Sequence, residues 1–196
     1  MTARMDFYFD FASPFGFLAS RKIDALARAI GREITWRPFL IGAVYKAYGG
    51  GPLEHPLKKA YMFTDFRRRA KLDGAGEVTM PANFPASSVA PSRLTYWVDR
   101  EAPEKTGDFV RAAYRAYWLD GRNTADPDAA LDAAEAAGFD RAAAAAGAQD
   151  QRIKDRLRAE TDAAPKRGVF GSPFILIDGA PFWGADRFDD IERLYG

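Results

Sequence analysis

Near its N-terminus the chain carries the stretch Asp6-Phe7-Tyr8-Phe9-Asp10-Phe11-Ala12-Ser13-Pro14-Phe15. The aromatic run over residues 6–11 is typical of a buried strand. Ser is a preferred helix N-cap and Pro is favoured at the first helical position, so Ser13 and Pro14 predict an abrupt change from strand to helix. The sequence therefore predicts a strand that ends just before a hydroxyl group at a helix N-terminus.

The residues after this turn complete a β-α-β unit. Apolar residues recur at helical spacing and Gly31 supplies a stop signal, which predicts one helix over Phe15–Ile30. Residues Glu33–Pro38 form a second predicted strand. A unit this short favours a parallel strand pair joined by a right-handed crossover.

The C-terminal part returns to β-structure. Phe174–Ile177 is a short apolar run, Asp178-Gly179 is a hairpin signal, and Ala180–Trp183 is the expected partner strand. A last helix is predicted from about residue 186 to Leu194.

Helical patterns dominate the middle of the chain. Gly49-Gly50-Gly51-Pro52 marks a loop, and Ala129–Ala148 predicts a pair of helices packed through small residues. The cationic run Arg67-Arg68-Arg69-Ala70-Lys71 is interpreted as a solvated helix face. The predicted helices cover residues 56–73, 88–100, 107–119, 128–137 and 148–164. We therefore expect an α/β domain formed by residues 1–45 and 165–196, and a helical insertion domain over residues 46–164.

Composition excludes several classes of chemistry. The 196 residues include no Cys and one His, which excludes disulfides, Cys nucleophiles and CxxC redox chemistry and leaves a metal site almost no ligands except carboxylates. The formal net charge of +1 predicts no general affinity for nucleic acid or acidic membranes. No apolar run reaches the ~18 residues of a membrane span, and Asp6 and Asp10 interrupt the apolar stretch that a secretory signal would need. We expect a soluble cytoplasmic protein.

Three motifs point to one family. Phe9–Phe15 carries the Ser-Pro turn, Gly168–Phe174 places a proline directly before the third strand, and Trp183-Gly184-Ala185-Asp186-Arg187 joins the hairpin to the last helix. Together with Trp36–Leu40 and Gly42, these motifs make the chain resemble the 2-hydroxychromene-2-carboxylate isomerases over essentially its whole length. Those enzymes are glutathione-dependent, act in naphthalene-type degradation and are related to kappa-class glutathione transferases.

The resemblance implies an α/β, thioredoxin-like fold (β-α-β, then β-hairpin-α) interrupted by a helical insertion. It implies glutathione as cofactor, a small aromatic substrate and a homodimer. The expected activity is isomerisation of 2-hydroxychromene-2-carboxylate-type aromatic oxo-acids by reversible thiolate addition to a conjugated double bond. Two alternatives remain open: a kappa-class-like glutathione transferase or peroxidase, and a non-catalytic glutathione- or peptide-binding protein.

Ser13 is the candidate catalytic residue and also a candidate glutathione-binding residue, because it stands where thioredoxin-like redox proteins carry CxxC. By resemblance, the nucleophile is the sulfur of glutathione and the Ser13 hydroxyl hydrogen-bonds the thiolate. A free thiol has a pKa of ~8.5, and each unit of depression corresponds to ~1.4 kcal/mol in favour of the anion, which a hydroxyl donor and a helix dipole can supply. The alternative is that Ser13 only caps the helix.

Further glutathione contacts are expected from Ser172, Pro173, Ala185, Asp186 and Arg187. A cis Ser172–Pro173 bond would expose the backbone of Ser172 to an extended tripeptide, and an ordinary turn is the alternative. By resemblance, Asp186 and Arg187 bind the γ-glutamyl end, with the Asp186 carboxylate pairing with its ammonium and Ala185 contributing only backbone. An N-cap role for Asp186 is the alternative.

The substrate side is expected to include Phe15, Lys59, Asn83, Phe84 and Pro85. Lys59 lies with Tyr61 and Asp65 on one predicted helix, which faces either the cleft or solvent. Residues 83–86 resemble the substrate-pocket segment of the family, and a packed loop is the alternative. No catalytic role is expected for His55.

The chain departs from the family in one place. The related group tends to carry a Gly-Asn pair after the second strand, where this chain has Gly49-Gly50-Gly51. The missing amide side chain removes one ligand contact that the resemblance implies.

Overall fold

A mixed four-stranded sheet unites the two predicted β parts of the chain. The computed structural model describes residues 3–196. The strands are β1 (Arg4–Phe9), β2 (Glu33–Pro38), β3 (Phe174–Ile177) and β4 (Ala180–Trp183), and their order in the sheet is β2-β1-β3-β4. β1 pairs with β2 in parallel and with β3 antiparallel, and β3 and β4 form an antiparallel hairpin. The predicted β-α-β unit and C-terminal hairpin are confirmed.

The aromatic side chains of β1 form the core against this sheet. Phe7 and Phe9 project from the same face and are fully buried, with ring centroids 5.2 Å apart. Trp36 of β2 packs edge-on against both rings, at 5.5 and 5.9 Å. Burying one such side chain stabilises the fold by ~1.5–3 kcal/mol. The aromatic run thus holds β1 in register with β2, where Phe7 lies opposite Trp36.

The helices account for most of the chain between β2 and β3. They are α1 (Pro14–Ser20), α2 (Ile23–Ala29), α3 (Ile41–Tyr48), α4 (Pro56–Leu72), α5 (Val89–Glu101), α6 (Thr106–Trp118), α7 (Pro127–Ala136), α8 (Arg141–Gln149), α9 (Gln151–Ala163) and α10 (Phe188–Tyr195). Within residues 3–196, none of them is both long and apolar enough to cross a membrane. The sequence patterns do not predict α3.

Two predicted helices are each divided in the structure. The expected helix over Phe15–Ile30 is broken between α1 and α2, where the Ser20 hydroxyl donates to the carbonyl of Phe17 (2.8 Å) and competes with the helical backbone bond. The expected helix over residues 148–164 is divided at Asp150, so that residues 148 and 149 belong to α8 and α9 begins at Gln151. There the Asp150 side chain accepts from the N–H of Arg152 (2.9 Å) and caps the new helix.

Buried aromatic donors attach the middle helices to the strand ends. The Tyr96 hydroxyl of α5 donates to the carbonyl of Pro38 at the end of β2 (2.7 Å). The Trp118 indole of α6 donates to the carbonyl of Phe11 just beyond β1 (3.1 Å). Both side chains are almost completely buried, so these bonds fix α5 and α6 against the edge of the sheet where the Ser13 turn lies.

Asp10, the first residue after β1, is the most connected polar group of this region. Its carboxylate accepts from the N–H of Ala12 and from the N–H of Ile41, each at 2.8 Å. Its own N–H donates to Ser172 Oγ (2.9 Å), and its carbonyl accepts from the Tyr114 hydroxyl (2.9 Å). Asp10 is only 3% exposed, and this burial raises its pKa against the opposing effect of the hydrogen bonds.

Asp10→Asn should destabilise the fold although the two side chains have the same shape. One carboxylate oxygen becomes an NH2 group, which must face the N–H of Ala12 or of Ile41. A buried donor without an acceptor costs ~1–3 kcal/mol, and we expect the free energy of unfolding in urea to fall by about that amount.

The difference in unfolding free energy between the wild type and Asp10→Asn should depend on pH. Burial raises the pKa of Asp10 above its ordinary value of 3.8, so the folded protein binds this proton more tightly than the unfolded chain. Wild-type stability from this group therefore rises as the pH falls through the raised pKa toward 3.8, whereas the amide of the Asp10→Asn variant does not titrate. The stability difference should widen on acidification, and a difference that stays constant would contradict this account.

Candidate functional site

One cleft contains most of the predicted site residues. Its volume is about 1210 Å³, its lining is mostly apolar, and it is bordered by the β1–α1 turn, helices α3 and α4, residues 84–89 and the turn after β4. The predicted residues that line it are Ser13, Phe15, Phe84, Pro85, Ser172, Pro173, Ala185, Asp186 and Arg187. Lys59 and Asn83 do not line the cleft, and neither does His55.

Ser13 serves both as helix cap and as a cleft residue. Its Oγ accepts from the N–H of Gly16 (3.0 Å), which caps α1, and donates to the carbonyl of Ser172 (2.7 Å). The side chain has one proton, and in this arrangement the proton is directed to Ser172. Rotation about the Cβ–Oγ bond turns that proton away from Ser172 and leaves the bond from Gly16 intact. The two roles considered from the sequence are therefore compatible.

Ser172 holds the opposite side of this turn. The Ser172–Pro173 bond is cis, as predicted, and a second cis bond, Phe84–Pro85, borders the same cleft. The sequence patterns do not predict the second one. The Ser172 hydroxyl accepts from the N–H of Asp10 and its carbonyl accepts from Ser13, so its side chain and backbone both lock this loop onto the end of β1.

Asp186 and Arg187 lie in the turn between β4 and α10. Arg187 donates to Asp186 (2.6 Å) and to Asp190 (3.0 Å). The Arg187 guanidinium lowers the pKa of Asp186, and the positive charge of Arg69 lowers it further. α10 begins at Phe188 without a side-chain cap, so the N-cap alternative for Asp186 is wrong.

The helical period of α4 explains why Lys59 is not a cleft residue. Lys58, Tyr61, Asp65 and Arg69 line the cleft at spacings of three and four residues, which is one face of a helix. Lys59 is rotated off this face by about 100° and is exposed to solvent. Tyr61 and Asp65 were grouped with Lys59 by the sequence, and only these two face the cleft.

Asn83 is turned away from the cleft by a contact with another loop. Its amide nitrogen donates to the side-chain oxygen of Asn123, which in turn accepts from the N–H of Ala125 (2.9 Å). Phe84, the next residue, packs against Trp118 with ring centroids 5.7 Å apart and lines the cleft. The predicted segment therefore contributes Phe84 and Pro85, without Asn83.

Asp10, Arg69 and Tyr45 are among the cleft residues that the sequence did not identify as site residues. Asp10 follows a buried strand directly, and a polar residue at a strand end was the available signal. Arg69 belongs to the cationic run that the sequence analysis interpreted as a solvated helix face, although it lies four residues after Asp65 on the side of α4 that lines the cleft. Tyr45 lies on α3, which the sequence patterns do not predict.

The charged end of the cleft combines paired and unpaired groups. Lys22 and Asp73 form an ion pair at 2.5 Å, and both line the cleft. Arg187 is occupied by two carboxylates. Among the interactions within residues 3–196, Arg69 has no salt bridge, and its charge acts on Asp186. Arg69 is therefore available to an anionic ligand group at this end of the cleft.

The chain belongs to the family of DsbA-like thioredoxin domains, and the family model matches residues 4–196. Within it, the chain is similar to a 2-hydroxychromene-2-carboxylate isomerase of Sphingobium xenophagum, with 33% identity over 98% of this chain and 97% of the relative. The structure of a 2-hydroxychromene-2-carboxylate isomerase superposes with a TM-score of 0.85 at 28% identity, covering 97% of this chain and 93% of the other. Glutathione S-transferase kappa 1 of Homo sapiens is 25% identical over 98% of this chain and 90% of the relative. The fold and family inferred from the sequence are confirmed.

Asp186→Ala should leave stability nearly unchanged, because Asp186 caps no helix and its ion pair is at the surface. Asp140→Ala is the matched control, since Asp140 accepts from the N–H of Ala143 (2.8 Å) and does cap α8. Removing that cap should cost ~1 kcal/mol in urea unfolding. Equal losses in the two variants would show that Asp186 has a structural role.

Proposed function

We propose that the protein is a glutathione-dependent isomerase of 2-hydroxychromene-2-carboxylate-type aromatic oxo-acids. The observation that carries the proposal is that one cleft joins Ser13 and Ser172 to a charged end at Asp186 and to aromatic walls at Phe15 and Phe84. Its volume of about 1210 Å³ exceeds the ~300–1,000 Å³ of sites for one drug-sized ligand. This volume suits a tripeptide and an aromatic acid together.

The polar groups of the cleft fit glutathione. The γ-glutamyl end carries an ammonium, which Asp186 would bind, and a carboxylate, which Arg69 would bind alongside Arg187. The backbone of Ser172, next to Pro173, would pair with the peptide backbone of an extended ligand. Ala185 would contribute only main-chain contacts.

When bound, glutathione supplies a thiolate that adds reversibly to the conjugated double bond and so permits rotation about it. Ser13 stabilises this anion by turning its one proton from Ser172 toward the sulfur. Ser13 is not itself the nucleophile, because within residues 3–196 its hydrogen-bond partners are an N–H group and a carbonyl, and neither can take its proton. The apolar lining keeps water away and strengthens the remaining hydrogen bonds.

The second candidate is a kappa-class-like glutathione transferase or peroxidase, which the 25% identity to a kappa transferase favours. The third is a non-catalytic glutathione- or peptide-binding protein. We further propose that the protein acts as a homodimer in the cytoplasm, where the reducing environment keeps glutathione as a thiol.

Stoichiometry distinguishes these candidates. Purified protein is mixed with glutathione and 2-hydroxychromene-2-carboxylate, and the absorption spectrum and the free thiol are followed together. An isomerase changes the spectrum without consuming thiol, whereas a transferase or a peroxidase consumes it. A protein that binds glutathione in calorimetry without any spectral change fits the third candidate, and either of the last two results overturns the isomerase proposal.

Ser13→Ala should raise the thiol pKa of bound glutathione. Losing a hydrogen bond to a charged group costs ~1.5–3 kcal/mol, so the pKa should rise by about one to two pH units. Ser20→Ala is the matched control, because Ser20 is also buried on α1 but bonds only to Phe17 outside the cleft. Thiolate absorbance against pH should move in Ser13→Ala alone, and an equal thiol pKa in both variants refutes the role of Ser13.

The γ-glutamyl end can be tested by titration calorimetry. Asp186→Ala should weaken glutathione binding about 2- to 10-fold, because the ammonium loses a charged partner that is itself exposed and paired with Arg187. Arg69→Met should weaken it about 2- to 10-fold, since Arg69 is exposed and screened. Arg67→Met is the control, because Arg67 lies on the same helix but outside the cleft. Binding of cysteinylglycine, which lacks the γ-glutamyl group, should be equal in all these proteins.

A further inference from the structure

Tyr45 is held at the cleft by the N-terminus of α3. The N–H of Ile41, the first residue of α3, donates to the Asp10 carboxylate (2.8 Å). Tyr45 follows one helical turn later and therefore lies on the same face as Ile41, and both residues line the cleft. The buried carboxylate that orients the Ser13 turn thus also orients Tyr45.

Gly51 fixes the position of the Tyr45 ring from the other side. A Cβ atom at residue 51 would lie 2.6 Å from Cε2 of the ring, so any side chain there would force the ring to shift. The backbone of Gly51 has φ −83°, a conformation that every residue adopts, so glycine is required here by the ring rather than by the backbone. The glycine run that replaces the Gly-Asn pair of the family therefore makes room for this tyrosine.

The hydroxyl of Tyr45 has no hydrogen-bond partner within residues 3–196. Two other hydroxyls of the cleft differ from it: Ser13 donates to Ser172, and Tyr61 is 62% exposed at the rim. Desolvation and the nearby Asp10 charge raise the pKa of Tyr45 to about 12, so the group keeps its proton at neutral pH. A positioned, partly buried donor beside a mostly apolar cavity is available to an acceptor on the ligand.

We propose that the Tyr45 hydroxyl hydrogen-bonds the oxo oxygen of the substrate and selects aromatic 2-oxo acids over analogues without that group. This inference rests on the proposed function. When a nucleophile adds to the conjugated double bond, the π electrons move onto this oxygen, and they return when the nucleophile leaves. Tyr45 keeps its proton throughout, so no atom is gained or lost.

The test is equilibrium binding of two matched probes in the presence of S-methylglutathione, which has no thiol and cannot react. Benzylidenepyruvate carries the oxo group, and styrylacetate has a methylene in its place. The wild type should bind benzylidenepyruvate the more tightly, and Tyr45→Phe should lose about 3- to 10-fold of that preference. Tyr48→Phe is the control, because Tyr48 lies on α3 but is 70% exposed and outside the cleft.

A second variant tests whether the position of the Tyr45 ring matters as well as its hydroxyl group. Gly51→Ala keeps the hydroxyl but displaces the ring, and it should reduce the same preference. An equal preference in wild type and Tyr45→Phe overturns the inference, and so does a wild type that binds neither probe. Failure of the wild type to isomerise with glutathione overturns the proposed function and leaves the oxo preference of Tyr45 standing as a separate measurement.

Discussion

The rest of the structure depends on satisfying one buried carboxylate at the end of the central strand. A desolvated charge is costly unless its oxygens are hydrogen-bonded, and Asp10 obtains its donors from segments that are far apart in the sequence. Ala12 belongs to the turn after β1, and Ile41 begins α3. Satisfying this one group brings both segments to a single point, with the Ser172 loop held there by the Asp10 N–H. The cleft forms at this convergence.

Short-range patterns predicted the strands, the Ser-Pro turn and the proline before β3, because each is encoded by neighbouring residues. Long-range pairings could not be predicted in this way: the acceptor of the Ser13 proton lies 159 positions away, and Asp10 receives a donor from Ile41, on a helix that no periodic pattern marked. The sequence analysis named Lys59, whereas Lys58 lines the cleft, because the sequence alone does not show which face of α4 packs toward the site. The family resemblance supplied the remaining site residues.

Two kinds of polar contact involve the middle helices, surface ion pairs and buried hydrogen bonds, and they differ in how firmly they position these helices. The Arg141 guanidinium contacts three carboxylates at the protein surface, where solvent screens such pairs. The hydrogen bonds of Tyr96 and Trp118 are buried, and each joins a helix to a strand end through a single fixed geometry. The buried bonds therefore fix α5 and α6 relative to the strand ends, whereas the surface pairs contribute little to that placement.

The N–H of Gly16 donates to Ser13 Oγ, and the Ser13 hydroxyl donates to the carbonyl of Ser172. Rotation of the Ser13 hydroxyl breaks only the second of these hydrogen bonds. An anion that draws the Ser13 proton to itself leaves the Ser172 carbonyl in need of another donor. A peptide thiol brings an amide N–H that can take the place of the Ser13 hydroxyl, whereas a simple alkyl thiol brings none. A ligand that brings both an anion and an N–H group would therefore leave no hydrogen-bonding group of this turn unpaired, whereas an anion without such a donor would leave the Ser172 carbonyl without a partner.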